Sequence, residues 1–210
     1  MFTGIIEEVG TIERMQTVQS VMTLSIRCQT ILEDMQIGDS ISVNGTCLTV
    51  TAFDSNHFDV QVIKGTESKT YLNQLSQGDP VNLERAMSGQ GRFGGHFVLG
   101  QVDDIGRISR IEKNSNSTII TIQAPQDLLN QMVSRGSIAV DGTSLTIFQL
   151  RANEFDIHLI PETRHATILD KKRENDLVHL ETDMLFKYVE RIIGDQKDGL
   201  SVDKMKALGY

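Results

Sequence analysis

Tryptophan is absent from these 210 residues, proline occurs three times and cysteine twice, and each shortage removes a class of explanation. Two cysteines, Cys28 and Cys47, provide neither a disulfide framework nor a cysteine-based metal pattern. The five histidines stand at no consistent ligand spacing, so no metal site is expected. Positive charge is also short: 20 Lys and Arg against 28 Asp and Glu give a net charge of −8 and a pI near 5.1. That balance argues against nucleic acid or an acidic membrane surface as partner. No stretch approaches the roughly 20 apolar residues of a membrane-spanning helix. Glu7 and Glu8 directly follow a short apolar start, which does not fit a signal peptide, so a cytoplasmic location is expected. Without secretion the glycosylation patterns at Asn44 and Asn116 carry no meaning.

What the chain does contain is a repeat. Residues 44–50 read NGTCLTV and residues 141–147 read DGTSLTI, 97 positions apart. The register persists from FDVQVIKGTESKTYL at Phe58 to FDIHLIPETRHATIL at Phe155, and from GDPVNLE at Gly78 to NDLVHLE at Asn175. TGIIEEVGTI at Thr3 matches LGQVDDIGRI at Leu99, here 96 positions apart. Fixed-period similarity of this extent indicates tandem domains, and a unit near 97 residues can bury its own core.

Apolar residues alternate in SISVNGTCLTV, TIITIQA and SIAVDGTSLTI, which are rich in Thr, Val and Ile, so each unit reads as strands. Turn residues recur at the rhythm of a small barrel. Asn44-Gly45 and Asp141-Gly142 predict type I′ hairpins. ILEDMQIG and DLLNQMVSRG predict short helices ending on Gly38 and Gly136. SGQGRFGGHF, residues 88–97, lacks the lysine of a phosphate loop and reads as a flexible hinge. In DMLFKYVERII the apolar residues Leu185, Val189 and Ile192 or Ile193 share one helical face; an oligomerisation role and packing against its own barrel are both open. The predicted organisation is one barrel over 1–96, a second over 97–182, and a helix with tail over 183–210.

MFTGIIEEVG, NGTCLTVT, VNLERA, GRFGGHFV, VDGTSLT, LIPET and KYVER, in that order and twofold repetition, resemble the riboflavin synthase family of the alpha-chain type, from Met1 to about Ile193. The resemblance implies an all-β chain: two tandem six-stranded Greek-key β barrels plus a C-terminal α-helix through which three chains associate. It implies dismutation of two 6,7-dimethyl-8-ribityllumazine molecules to riboflavin and 5-amino-6-ribitylamino-uracil, without metal or organic cofactor, and lumazine synthase as a partner. Carried over by position, the first pocket comprises Cys47, Leu48 and Thr49 with Gln61, Val62, Ile63, Lys64, Gly65 and Thr66, completed by Gly100, Gln101 and Val102. The second comprises Ser144, Leu145 and Thr146 with His158, Leu159, Ile160, Pro161, Glu162 and Thr163, completed by Gly4, Ile5 and Ile6, with Arg135 where the family usually has lysine. Cys47, His96, Gln101, Ser144 and Thr146 are the catalytic candidates.

Duplication suits a reaction that needs one substrate as donor and an identical one as acceptor. Two pockets in register replace a bimolecular encounter. His96 has the pKa range of a general base. His158 and Glu162 offer polar partners to a ribityl chain. Cys28, His57, His165 and His179 read as core, surface or structural. Two departures fall in the first pocket: Gln101 replaces the family's histidine and cannot titrate, and Gly65 replaces a common glutamate. They keep open an alternative, a non-catalytic lumazine- or flavin-binding antenna protein of the same fold.

Overall fold

A computed structural model of the chain describes residues 1–19, 21–63, 69–114 and 117–197. Six strands form the first barrel: β1 (Glu8–Val18), β2 (Val21–Arg27), β3 (Ser40–Val43), β4 (Thr46–Phe53), β5 (His57–Ile63) and β6 (Pro80–Arg85). Six more form the second: β7 (Asp104–Lys113), β8 (Thr118–Gln123), β9 (Ser137–Val140), β10 (Thr143–Leu150), β11 (Glu154–Leu159) and β12 (Leu177–Thr182). Short helices α1 (Gln126–Leu129) and α2 (Pro161–Ala166) flank the second barrel, and α3 (Met184–Lys197) follows it.

Around the first barrel the order is β1-β2-β5-β4-β3-β6, and the second repeats it strand for strand. Strands β3, β4 and β5 form a meander and β6 returns beside β3, which makes the Greek key. The irregularities repeat too. The register shifts between Ile12 and Arg14 in β1 and between Val50 and Ala52 in β4 recur between Ile108 and Arg110 in β7 and between Ile147 and Gln149 in β10. Both hairpins have positive φ at both turn residues, 47° and 82° at Asn44-Gly45 and 45° and 78° at Asp141-Gly142, as type I′ requires.

Alternation places one side chain in two inside each barrel. Ile12, Leu24, Ile26, Phe58, Val60 and Leu83 fill the first core, and Ile108, Ile122, Phe155, Ile157, Val178 and Leu180 the second. Burying such a side chain contributes about 1.5–3 kcal/mol.

A polar seam joins the barrels. Buried Asn82 accepts the Ile168 N–H (2.8 Å) and donates to Asp141 O (2.9 Å). His179, its counterpart 97 positions on, accepts the Tyr71 N–H at Nε2 (2.8 Å) and meets Asn44 O through Nδ1 (2.7 Å). Asp141 accepts from the Tyr71 hydroxyl (2.8 Å) and pairs with Lys172 (3.2 Å).

Three local expectations need correction. ILEDMQIG forms only a 3-10 turn, Thr30–Leu32, and DLLNQMVSRG only the four-residue α1, because the chain must turn back into a strand before a helix can propagate. Gly38 is left-handed (φ 97°) as expected, but in the second copy that conformation falls on Arg135 (φ 69°), not Gly136. The end of the presumed hinge is pinned. Phe2 and Val98 exchange backbone hydrogen bonds (2.7 and 3.1 Å), the His96 N–H donates to Thr3 O (3.1 Å), and His96 and Val98 are buried.

Candidate functional site

The segments ahead of the two barrels cross over. The first arm, residues 3–7, meets the second barrel at Gly4, whose carbonyl accepts the Ser144 N–H (2.7 Å), and the second arm, residues 99–103, meets the first barrel at Gly100, whose carbonyl accepts the Cys47 N–H (2.9 Å). Only glycine allows this approach. Gly4 and Gly100 have φ of 75° and 78°, and a Cβ on either would come 2.6 Å from the Cβ of Ser144 or Cys47. Phe2 is fully buried between the barrels with Val98 and Ala139, and Cys47 packs against that cluster.

Each arm is latched by a buried glutamate at the end of a strand. Glu84 accepts from the Thr3 N–H and hydroxyl (both 2.7 Å) and the Gly4 N–H (3.0 Å). Glu181 accepts from the N–H groups of Leu99 (2.6 Å), Gly100 (3.0 Å) and Gln101 (2.9 Å). Burial pushes both carboxyls up, Glu181 to about 7, while the amide donors and Lys187 oppose that rise. A carboxylate with three donors suits a latch; a protonated one loses acceptor capacity.

Of the residues predicted for the first pocket, Cys47 and Gly100 meet directly, with Thr49 following on β4 and Gln101 and Val102 on the arm. Cys47 and Thr49 are accessible on the outer wall of β4, and the Gln101 side chain is exposed while its N–H is latched. Gln61 is exposed on β5, whereas the Leu48 and Val62 side chains belong to the barrel core, so those two can offer only backbone. Ile63 ends β5. Lys64, Gly65 and Thr66 lie outside the described residues.

In the second pocket Ser144, Thr146 and Phe148 alternate outward on β10, and Ser144 meets Gly4, which Ile5 and Ile6 follow on the arm. The Phe148 ring stacks on His158 (centroids 3.8 Å apart), with the Arg135 guanidinium 5.1 Å from its centre. Leu159 is core, Leu145 packs against that core, and Ile160 is 59% exposed. Pro161, Glu162 and Thr163 open α2. The copies therefore share a frame and differ in furniture: Gly38, Thr51 and Gln61 in the first stand where Arg135, Phe148 and His158 do in the second.

His96 is the histidine seated against the second-pocket strand. Its Nδ1 is 2.7 Å from Ser144 Oγ, and its buried Nε2 has no hydrogen-bond partner among the described residues. Burial depresses its pKa against the pull of Asp183, which leaves the neutral, proton-accepting imidazole at neutral pH. Cys28 is buried and its thiol is raised to about 12. No cluster of three potential metal ligands occurs among the described residues, and no described helix is long and apolar enough to cross a membrane.

Sequence reasoning missed the latches Glu84 and Glu181, the anchor Phe2, and Phe148. The signal for the latches was present in the repeated VNLE and VHLE.

Paired barrels that exchange arms over matching polar strands define a double lumazine-binding fold, and the lumazine binding domain family matches residues 3–86 and 99–183. A riboflavin synthase of Bacillus subtilis is 50% identical, covering 92% of this chain and 90% of that one, and one of Actinobacillus pleuropneumoniae is 40% identical over the whole of both. The chain belongs to the riboflavin synthase family. In fold it is similar to the crystal structure of LumP complexed with riboflavin, with a TM-score of 0.81 and 23% identity over 87% of this chain and 99% of that one.

Proposed function

We propose that the chain is a riboflavin synthase that converts two molecules of 6,7-dimethyl-8-ribityllumazine into riboflavin and 5-amino-6-ribitylamino-uracil by transferring a four-carbon unit. One observation carries this reading: each barrel offers an outward polar strand, and each strand is closed by the arm of the other repeat, at Cys47–Gly100 and Ser144–Gly4. Two half-sites of one design suit two identical substrates.

The residues divide the work. Strand and arm amides can meet the heterocycle edge, with Thr49 and Thr146 adding hydroxyls. His158, and Glu162 at the start of α2, stand ready for a ribityl chain. The substrate's own ring delocalises the carbanion left when a methyl group loses its proton. The protein therefore supplies position and a base, and His96 with Ser144 is the pair we assign to that proton.

Three copies associating through α3 complete the reading, with the first pocket of one copy facing the second of its neighbour. Leu185, Tyr188, Val189 and Ile192 on α3 are 52–61% exposed, an apolar face suited to such contact. A cytoplasmic location and an association with lumazine synthase, which by its name supplies the substrate, belong to the same proposal; co-sedimentation tests the association.

Purified protein incubated with the lumazine alone should release riboflavin at half the lumazine consumed, followed by flavin fluorescence. Tight binding without turnover would replace this reading with the antenna one.

A further inference from the structure

The two arms are held by matching groups, with one exchange in the set. In the first repeat Arg85, at the end of β6, donates its N–H to Glu7 (2.7 Å) and its guanidinium to Glu7 (Nε, 2.9 Å) and to Asp34 (2.6 Å). In the second repeat Thr182 stands in place of Arg85, Asp103 in place of Glu7 and Gln131 in place of Asp34. The Thr182 N–H still donates to Asp103 (2.9 Å), and its hydroxyl lies 3.0 Å from both Asp103 and Gln131. The cation has gone from the strand. It returns from α3, where Lys187 Nζ lies 2.7 Å from each carboxylate oxygen of Asp103.

The exchange matters because the second arm ends on Asp103 and is latched by Glu181. Two carboxylates so close disfavour each other's charge, and a cation between strand end and arm relieves them. Lys187 opposes, and Asp103 supports, the rise in the Glu181 pKa. In the first repeat the barrel supplies that cation itself. In the second the barrel cannot, and the helix does.

We propose that Lys187 is a positioning residue for the first pocket: by pairing with Asp103 it makes closure of the Leu99–Asp103 arm over Cys47 depend on the seating of α3. The proposal rests on the reading that this arm and Cys47 wall a lumazine pocket. Since α3 is also the helix with the unpartnered apolar face, pocket closure and association of copies share one element.

Cys47 reports on the arm directly. Cys28 is 4% exposed with its thiol raised to about 12, so iodoacetamide should label Cys47 alone in the folded protein. Lys187→Met should speed that labelling roughly two- to fivefold, the shift a partly exposed ion pair can hold. Lys187→Arg should restore the wild-type rate. Arg85→Met, which disturbs only the first arm, should leave it unchanged, and sedimentation should show Lys187→Met assembled as the wild type is. An unchanged rate in Lys187→Met overturns the proposal. So does an equal rise in Arg85→Met, or a rise that accompanies dissociation. Protection of wild-type Cys47 by 6,7-dimethyl-8-ribityllumazine checks the pocket separately: absence of protection overturns the pocket reading beneath the proposal, even where Lys187→Met still speeds labelling.

Discussion

Replacing His179 with Asn should remove an acid-sensitive step from the stability of this protein. His179 is 1% exposed, and both ring nitrogens are committed: Nε2 accepts the Tyr71 N–H, so the proton sits on Nδ1 and is donated to Asn44 O. Protonating the ring would point a second donor at the Tyr71 N–H. Burial accordingly depresses the His179 pKa; Asp141 and the Asn44 carbonyl pull it up, and Lys172 pushes it down. A folded pKa below the unfolded value of about 6.5 means the unfolded chain takes up the proton first. Stability is therefore complete above pH 6.5 and falls as pH drops, by about 1.4 kcal/mol per unit. At pH 5 the loss reaches about 2 kcal/mol for an imidazole still neutral in the fold. The replacement comes from the molecule itself, since Asn82 makes the equivalent two bonds in the other repeat. His179→Asn should cost about 1–3 kcal/mol at pH 7.5, from the smaller side chain and the lost stack on Tyr71, whose ring centre lies 4.0 Å away. Urea unfolding at pH 7.5 and 5.0 should then show a smaller acid loss in the variant. Other titrating groups are common to both proteins and cancel. Equal acid losses would refute the assignment of this proton to His179.

Gly100→Ala should strain the arm by about 1–2 kcal/mol through its left-handed φ alone, and lumazine affinity at the first pocket should fall while thermal unfolding of the barrels changes little. Val189→Asp with Ile192→Asp places unpaired charge on the apolar face of α3, at a cost of several kcal/mol in a dry contact; sedimentation should show smaller species, and an unchanged assembly would reject α3 as the joint. Ser144→Ala removes the partner of His96 Nδ1, so turnover should drop by about 0.5–1.5 kcal/mol in barrier, with circular dichroism unchanged. Gln101→His should alter turnover less than about tenfold, or 1.4 kcal/mol, because the Gln101 side chain is exposed and its N–H does the latching; a several-hundredfold rise would show that the position acts by titrating.

Most of the architecture was legible because its signals are local. Alternation gave the strands, and Asn44-Gly45 and Asp141-Gly142 gave hairpins whose φ values are those of type I′ turns. The 97-residue register could have given more. It aligns Gly38 with Arg135, which would have moved the left-handed residue off Gly136, and it aligns Glu84 with Glu181. What no local pattern reveals is the crossing of the arms. A segment such as LGQVDD looks the same whether it folds onto its own barrel or the other one. Phe148 was missed although strand alternation alone puts it on the outer face with Ser144 and Thr146, because a large apolar residue beside Ile147 reads as another core candidate.

The distribution of differences between the copies is itself informative. Strand order, register shifts and glutamate latches are duplicated faithfully, as expected of parts whose failure unfolds a barrel. Among the differences, several lie on the outer walls of the strands or beside them: Cys47 against Ser144, Gln61 against His158, Thr51 against Phe148 and Gly38 against Arg135. His96 lies in the segment between the repeats, and its Nδ1 is 2.7 Å from Ser144 Oγ. That segment thus brings an imidazole to Ser144 in the second pocket. The two pockets share a frame but are not equal, and a reaction that assigns opposite roles to identical substrates suits that inequality. Because each pocket borrows its arm from the other repeat, neither barrel can complete a site by itself, so the asymmetry and the partnership are fixed together in one chain.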